Sequence, residues 1–228
     1  MRFVAGTETL NNLTVNRTGA GADLGLGSAL TVNGTLTLTS GTITTGANTI
    51  TLRPAGTLTR TSGWINGKLG MPVGTGSPTI VYEVGSAAVY TPIDLSFQNV
   101  TVAGSIAGGV VATDHPNIAT SGLQPTKSVN RYYSIVNTGV TLTSYSATLR
   151  FVAGDIDAGT LTDSVEVRRF SGGSWNFETT GTRTSTSTQV TGVTAFGDLA
   201  IGEPVFRTVT SSAGPNGTIA PLGAQIVR

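Results

Sequence analysis

The 228-residue chain has no cysteine, a single histidine and few charges, with Asp, Glu, Lys and Arg at 11%. An ordinary soluble domain carries about twice that proportion of charge. Without cysteine there is no disulfide framework and no thiolate metal centre. One histidine, His115, excludes a two- or three-histidine metal site within one chain. The 13 basic residues are balanced by 12 acidic ones, so the chain lacks the basic stripe that nucleic-acid binding needs, and no such partner is expected. No apolar run is long enough for a membrane-spanning helix, and no membrane insertion is expected. Met1 to Gly6 lack the apolar core of a secretory signal. The composition nonetheless looks like that of an exported bacterial β-protein, which suggests a piece excised from a longer secreted chain.

What the chain does have is 40 Thr and 31 Gly. Threonine is β-branched and suits a pleated surface, while glycine punctuates turns. No window shows the i, i+3, i+4, i+7 apolar spacing of a helix, so the expected fold class is all-β. Leu13-Thr14-Val15-Asn16 recurs letter for letter as Leu30-Thr31-Val32-Asn33, and Leu36-Thr37-Leu38 and Ile50-Thr51-Leu52 follow. Short one-faced strands at a roughly constant spacing, separated by Gly corners, point to a β-solenoid or β-helix over residues 1–72. Leu, Val and Ile would stack inside and Thr outside, with Asn16 and Asn33 forming a corner ladder. The alternative for this stretch is an antiparallel meander of Thr-rich hairpins.

Gly74-Thr75-Gly76-Ser77-Pro78 is a turn cluster that marks a boundary. Residues 73–203 then carry longer alternating strands, as expected for an Ig-like or jelly-roll β-sandwich. Val165 to Phe170 and Trp175 to Phe177 flank a Gly-Gly turn and read as a hairpin. Tyr132, Tyr133 and Trp175 are expected in the core, and Phe196 to Gly202 as the closing strand. Residues 204–228 are too few to bury a core. They are expected to be an extension or the start of a further repeat.

Several stretches together resemble the repeat modules of large secreted surface and adhesin-like proteins of Bacteroidota and relatives. They are Leu30 to Gly41, Gly63-Trp64-Ile65-Asn66-Gly67, Tyr90-Thr91-Pro92, Asp114-His115-Pro116, Lys127 to Tyr133, Phe151 to Gly159 and Phe196 to Gly202. The tail Ser212 to Pro221 is similar to the opening of an internalin-B-like repeat, here truncated. The resemblance implies export, often by the type IX route, and an extracellular, cell-surface location. It implies no catalytic residues.

Chemistry-bearing constellations are few. Asp114 and His115 are sequence neighbours, which point apart on a strand, and no Gly-x-Ser-x-Gly elbow is present. Asp155, Asp157 and Asp163 form the one acidic cluster and are the candidate Ca²⁺ ligands; no other cofactor is expected. An EF-hand loop starting at Asp155 would place Gly159 at a ligand position, although Glu166 stands at the twelfth. Trp64, Tyr90, Tyr145 and Trp175 are candidate stacking surfaces for sugars, burial in the core being the alternative. No pair of carboxylates is marked for glycoside hydrolysis. The expectation is therefore a non-enzymatic spacer or display scaffold, with copies of itself, joined head to tail by strand addition, as partner. A carbohydrate-binding adhesin that recognises host-cell or matrix glycans is the alternative.

Overall fold

The computed structural model describes residues 8–19 and 23–227. Strands make up 61% of the chain and helix 3%, the latter as two single 3₁₀ turns, so the fold is all-β.

The first eight strands are β1 (Glu8–Leu10), β2 (Leu13–Asn16), β3 (Asp23–Gly25), β4 (Leu30–Val32), β5 (Thr35–Ser40), β6 (Thr42–Leu52), β7 (Thr57–Arg60) and β8 (Trp64–Val73). They wind a β-solenoid of about three turns. Their pairings are parallel, which rules out the hairpin meander: β2-β5-β7 form one face, β1-β4-β6-β8 another, and β3 joins the first half of β6.

Stacking in register gives each coil the same inside and outside. Leu30, Ile50 and Leu69 form one buried column, and Ile43 and Ile65 another. Outside, the hydroxyls of Thr35 and Thr57 lie 3.1 Å apart, and Thr59 donates to Thr37 at 3.2 Å. Both contacts join residues 22 apart. The letter-for-letter repeat is therefore not the stacking period. Leu13 pairs with Leu36, while Leu30 lies on a different face. The Asn16–Asn33 ladder does not form: Asn16 accepts a hydrogen bond from the Ser40 hydroxyl, and the Asn33 amide donates to Leu10.

The last solenoid strand also opens the sandwich. Trp64 to Gly70 of β8 pair parallel with β6 on one side, and Lys68 to Val73 pair antiparallel with β12 (Gly104–Val111) on the other. The remaining strands are β9 (Thr79–Tyr82), β10 (Val84–Gly85), β11 (Ile93–Gln98), β13 (Leu123–Thr138), β14 (Ser144–Arg150), β15 (Glu166–Ser171), β16 (Ser174–Phe177), β17 (Thr179–Arg183), β18 (Ser187–Val193), β19 (Gly197–Pro204), β20 (Arg207–Ser211) and β21 (Gly223–Val227). Strand β10 pairs parallel with β8, continuing the solenoid pattern for one further step.

One sheet thus runs unbroken through β1-β4-β6-β8-β12-β13-β19-β15-β16. A second sheet, β17-β18-β14-β11-β9, faces its antiparallel part. The Tyr82 hydroxyl on β9 donates to the Ile106 carbonyl on β12 at 3.1 Å, and the Tyr133 hydroxyl on β13 reaches the Arg150 carbonyl on β14 at 2.7 Å. Burial pushes both phenols far above their ordinary pKa, so each stays a donor. A single hydrophobic cluster extends from Val15 in the solenoid to Ile201 in the sandwich.

The Gly172-Gly173 hairpin forms as expected, joining β15 to β16 with both glycines at positive φ. Strand β19, the last of the sandwich in chain order, lies inside the long sheet between β13 and β15. Of the expected core aromatics only Tyr133 is fully buried; Tyr132 and Trp175 are half-buried. Residues 207–227 form a hairpin of β20 with β21. Residues 1–7 of the expected solenoid lie outside the described residues.

Candidate functional site

The three aspartates considered for Ca²⁺ have separate employments. Asp155 receives both Nε and Nη2 of Arg131 at 2.9 Å each, and also accepts the Val152 amide. Asp157 accepts from the Ser128 amide at 3.0 Å, the Ser128 hydroxyl at 3.2 Å and Asn130 at 2.7 Å. Burial pushes its pKa up, but these hydrogen bonds outweigh burial and hold it below the usual carboxylate range. Asp163 is exposed, and Glu166 is buried against Arg168 at 2.6 Å. Among the described residues no three His, Asp or Glu side chains converge as metal ligands would. The loop is organised by arginine and serine donors.

Those donors are what sequence reasoning missed. Arg131, only 1% exposed, lies on β13 and clamps Asp155 while its Nη1 donates to the Thr91 hydroxyl at 3.1 Å. A buried guanidinium tolerates burial when its fork is matched bidentately in this way. On the other carboxyl of this region, Asp114, burial raises the pKa, the Ser128 hydroxyl at 2.8 Å lowers it, and the Asp157 charge raises it further; the net direction is up.

The four aromatic candidates separate into three environments. Tyr145 is fully buried, stacked on Phe196 with ring centroids 5.0 Å apart, and its hydroxyl donates to Ala195; no sugar reaches it. Trp175 is half-buried on the edge strand β16. It packs edge-on against His115 at 4.8 Å and donates its indole N–H to the Asn117 carbonyl at 3.0 Å. Only Trp64 and Tyr90 come together, with centroids 6.2 Å apart, where the solenoid meets the sandwich.

There the Arg60 guanidinium lies 3.5 Å above the Tyr90 ring, and Arg60 and the Tyr90 hydroxyl both contact Glu83. Trp64 donates to the Ser86 carbonyl at 2.8 Å. Burial first, then the hydrogen bond and charge of Glu83, push the Tyr90 phenol well above its ordinary value. It therefore serves as a donor to Glu83 and not as a base. With one face of Tyr90 under Arg60 and the Trp64 N–H satisfied, the cluster is a fastening between β7, β8 and the β10 region.

His115, only 4% exposed, is enclosed by Tyr132, Phe170 and Trp175 with centroid separations of 4.7–5.0 Å. Its Nδ1 accepts the Asn117 amide at 3.1 Å, and its Nε2 faces Asp198 at 3.4 Å. Both ring nitrogens are thus employed, and the Ser128 hydroxyl is directed at Asp114 and Asp157 instead. This arrangement holds the 3₁₀ turn Ile118–Thr120 onto the sheet and is not the layout of a nucleophile with its base.

At the far edge of the long sheet, Arg168 on β15 is 2% exposed and places its Cζ 4.0 Å from the Phe177 ring centroid. Phe177, at the end of β16, is 72% exposed. No signal in the sequence singles out this pair, because it depends on the β15–β16 register that sets Arg168 opposite Phe177. No protein-family model, curated protein or solved structure matches the chain.

Proposed function

We infer that the chain is a non-enzymatic structural module of a secreted bacterial cell-surface protein, acting as a spacer or display scaffold. The observation that carries this reading is the unbroken sheet from β1 to β16, with one hydrophobic cluster beneath it. A solenoid coupled rigidly to a sandwich transmits load along its length, because pulling on either part loads hydrogen bonds shared with the other. The resemblance to secreted surface modules and the low charge point the same way. Single-molecule pulling on a tandem array tests the reading. The expected result is one unfolding event per module, with the contour gain of residues 8–204. Separate low-force release of the solenoid and the sandwich overturns it.

The same reading carries a route to assembly by strand addition. Among the described residues, β1, β2 and β3 are paired on one side only, and β20 and β21 pair only with each other. Such edges accept further strands, and a head-to-tail contact of this kind builds a filament. Light scattering on the full chain should give mass growing with concentration, and removal of residues 205–228 should abolish the growth. A monodisperse monomer at high concentration overturns the assembly part.

A further inference from the structure

We propose that the cavity between the 3₁₀ turn Ile118–Thr120, the end of β19 and the Arg168–Phe177 pair binds a carboxylate-bearing sugar, a uronate unit of an acidic glycan. The cavity measures about 280 Å³, and Thr120, Gly122, Arg168, Phe177, Val205 and Arg207 line it. Its volume is near the lower end of small-molecule sites and suits a single ring.

Three features give it a chemical character. The first is charge: among the described residues two guanidinium groups line the cavity and no carboxylate does, Glu166 lying to the side of Arg168 and outside the lining. Planar guanidinium forks match carboxylates in a two-point geometry. The second is an unmet donor. Arg168 gives Nη2 to Glu166 at 2.6 Å and Nη1 to the Val167 carbonyl at 3.2 Å, while its buried Nε has no acceptor among the described residues. Leaving a buried charged donor unpaired costs more than leaving a neutral one unpaired. An acceptor oxygen arriving at Arg168 would relieve that cost.

The third feature is Phe177. One face of its ring rests on Arg168, yet the residue stays largely exposed. An exposed aromatic platform beside cationic donors suits a ligand with an apolar ring face and an anionic edge. Inorganic anions lack the first and neutral sugars the second. Arg207, exposed at the start of β20, supplies the outer charge. The cavity draws on the turn, on β15–β16 and on the chain beyond β19, and it is distinct from the Trp64–Tyr90 fastening. The inference goes beyond the scaffold reading and does not depend on it, since a pulling experiment and a binding experiment fail independently.

The test is a titration of the full chain with a galacturonate trimer, followed by amide chemical shifts, with a neutral galactose trimer and acetate as parallel arms. Saturable shifts centred on Thr120, Phe177 and Arg207 are expected with the uronate trimer alone. Phe177→Ala and Arg207→Gln, both at exposed positions, should each weaken binding by about tenfold or more, equivalent to ~1.4 kcal/mol. Raising the salt should weaken it further. No saturation in the millimolar range, equal response to the neutral trimer or to acetate, or binding indifferent to both substitutions overturns the proposal.

Discussion

Ser128 carries one hydroxyl proton and has two carboxylates on it, Asp114 at 2.8 Å and Asp157 at 3.2 Å. Their pKa values move in opposite directions because Asp157 also receives the Ser128 amide and Asn130, whereas Asp114 is desolvated and faces the Asp157 charge. The sign of each contribution follows from linkage. Asp157, depressed in the fold, stabilises above the unfolded carboxyl value of about 3.9, and that stabilisation is lost as pH falls through its lower folded value. Asp114, raised in the fold, contributes stability that is fully present below the unfolded value and lost as pH rises through the folded one. At neutral pH its charge is therefore a liability. Asp114→Asn keeps an oxygen for Ser128 and removes the charge, so thermal melts should show a small rise in Tm at pH 7 that shrinks to nothing near pH 3. A lowered Tm at pH 7, or a rise independent of pH, would contradict this. None of this was legible in the sequence. Asp155-Ile156-Asp157 reads as an acidic loop, and the donors that define it, Arg131 and Ser128, lie more than twenty residues away.

At the scale of elements, the sequence revealed the solenoid through its alternation of Leu and Thr but not through its repeat. Strand β2 and the stretch Leu30 to Asn33, which contains β4, share four letters, yet the two strands occupy different faces. The stacked neighbour of Leu36 is Leu58, and that of Ile43 is Ile65. Identity of letters reflects a shared inside-outside pattern; the period is set by the corners. Gly67 shows what a corner demands. It sits at φ +131°, and a Cβ built there would overlap the Oγ1 of Thr45, a fully buried residue on the coil below. Thr45 cannot turn aside freely, because its Oγ1 accepts the Lys68 amide at 3.0 Å. Gly46 is at φ +59° with open space around it. Gly46→Ala should therefore cost only the left-handed backbone penalty of about 1–2 kcal/mol. Gly67→Ala adds a steric overlap in a packed corner and should cost about 3 kcal/mol or more. Denaturant melts rank the two; a Gly67→Ala cost no greater than that of Gly46→Ala would mean that the coils are not held in this register.

For the whole molecule, the consequential feature is that β8 belongs to both parts. The turn cluster at Gly74 to Pro78 reads as a boundary because glycine and proline gather there, but hydrogen bonding crosses the region through β8–β12. Sequence reports local backbone preference, and the continuity of a sheet depends on which distant strand completes the pair. The two tryptophans make this coupling measurable. Trp64 starts β8 at the solenoid junction, and Trp175 packs on His115 and Phe170 near the opposite edge of the sheet. In Trp64→Phe and Trp175→Phe backgrounds, fluorescence reports one region at a time. Ile50 is fully buried in the solenoid, and Ile50→Ala should cost about 2–5 kcal/mol through lost burial and the cavity left behind. If the sheet and its core unfold as a unit, that substitution shifts the midpoint seen by Trp175 as far as the one seen by Trp64, with a single transition in each case. A midpoint at Trp175 that stays fixed while that at Trp64 falls would show the solenoid melting alone. It would also remove the mechanical coupling on which the scaffold reading rests.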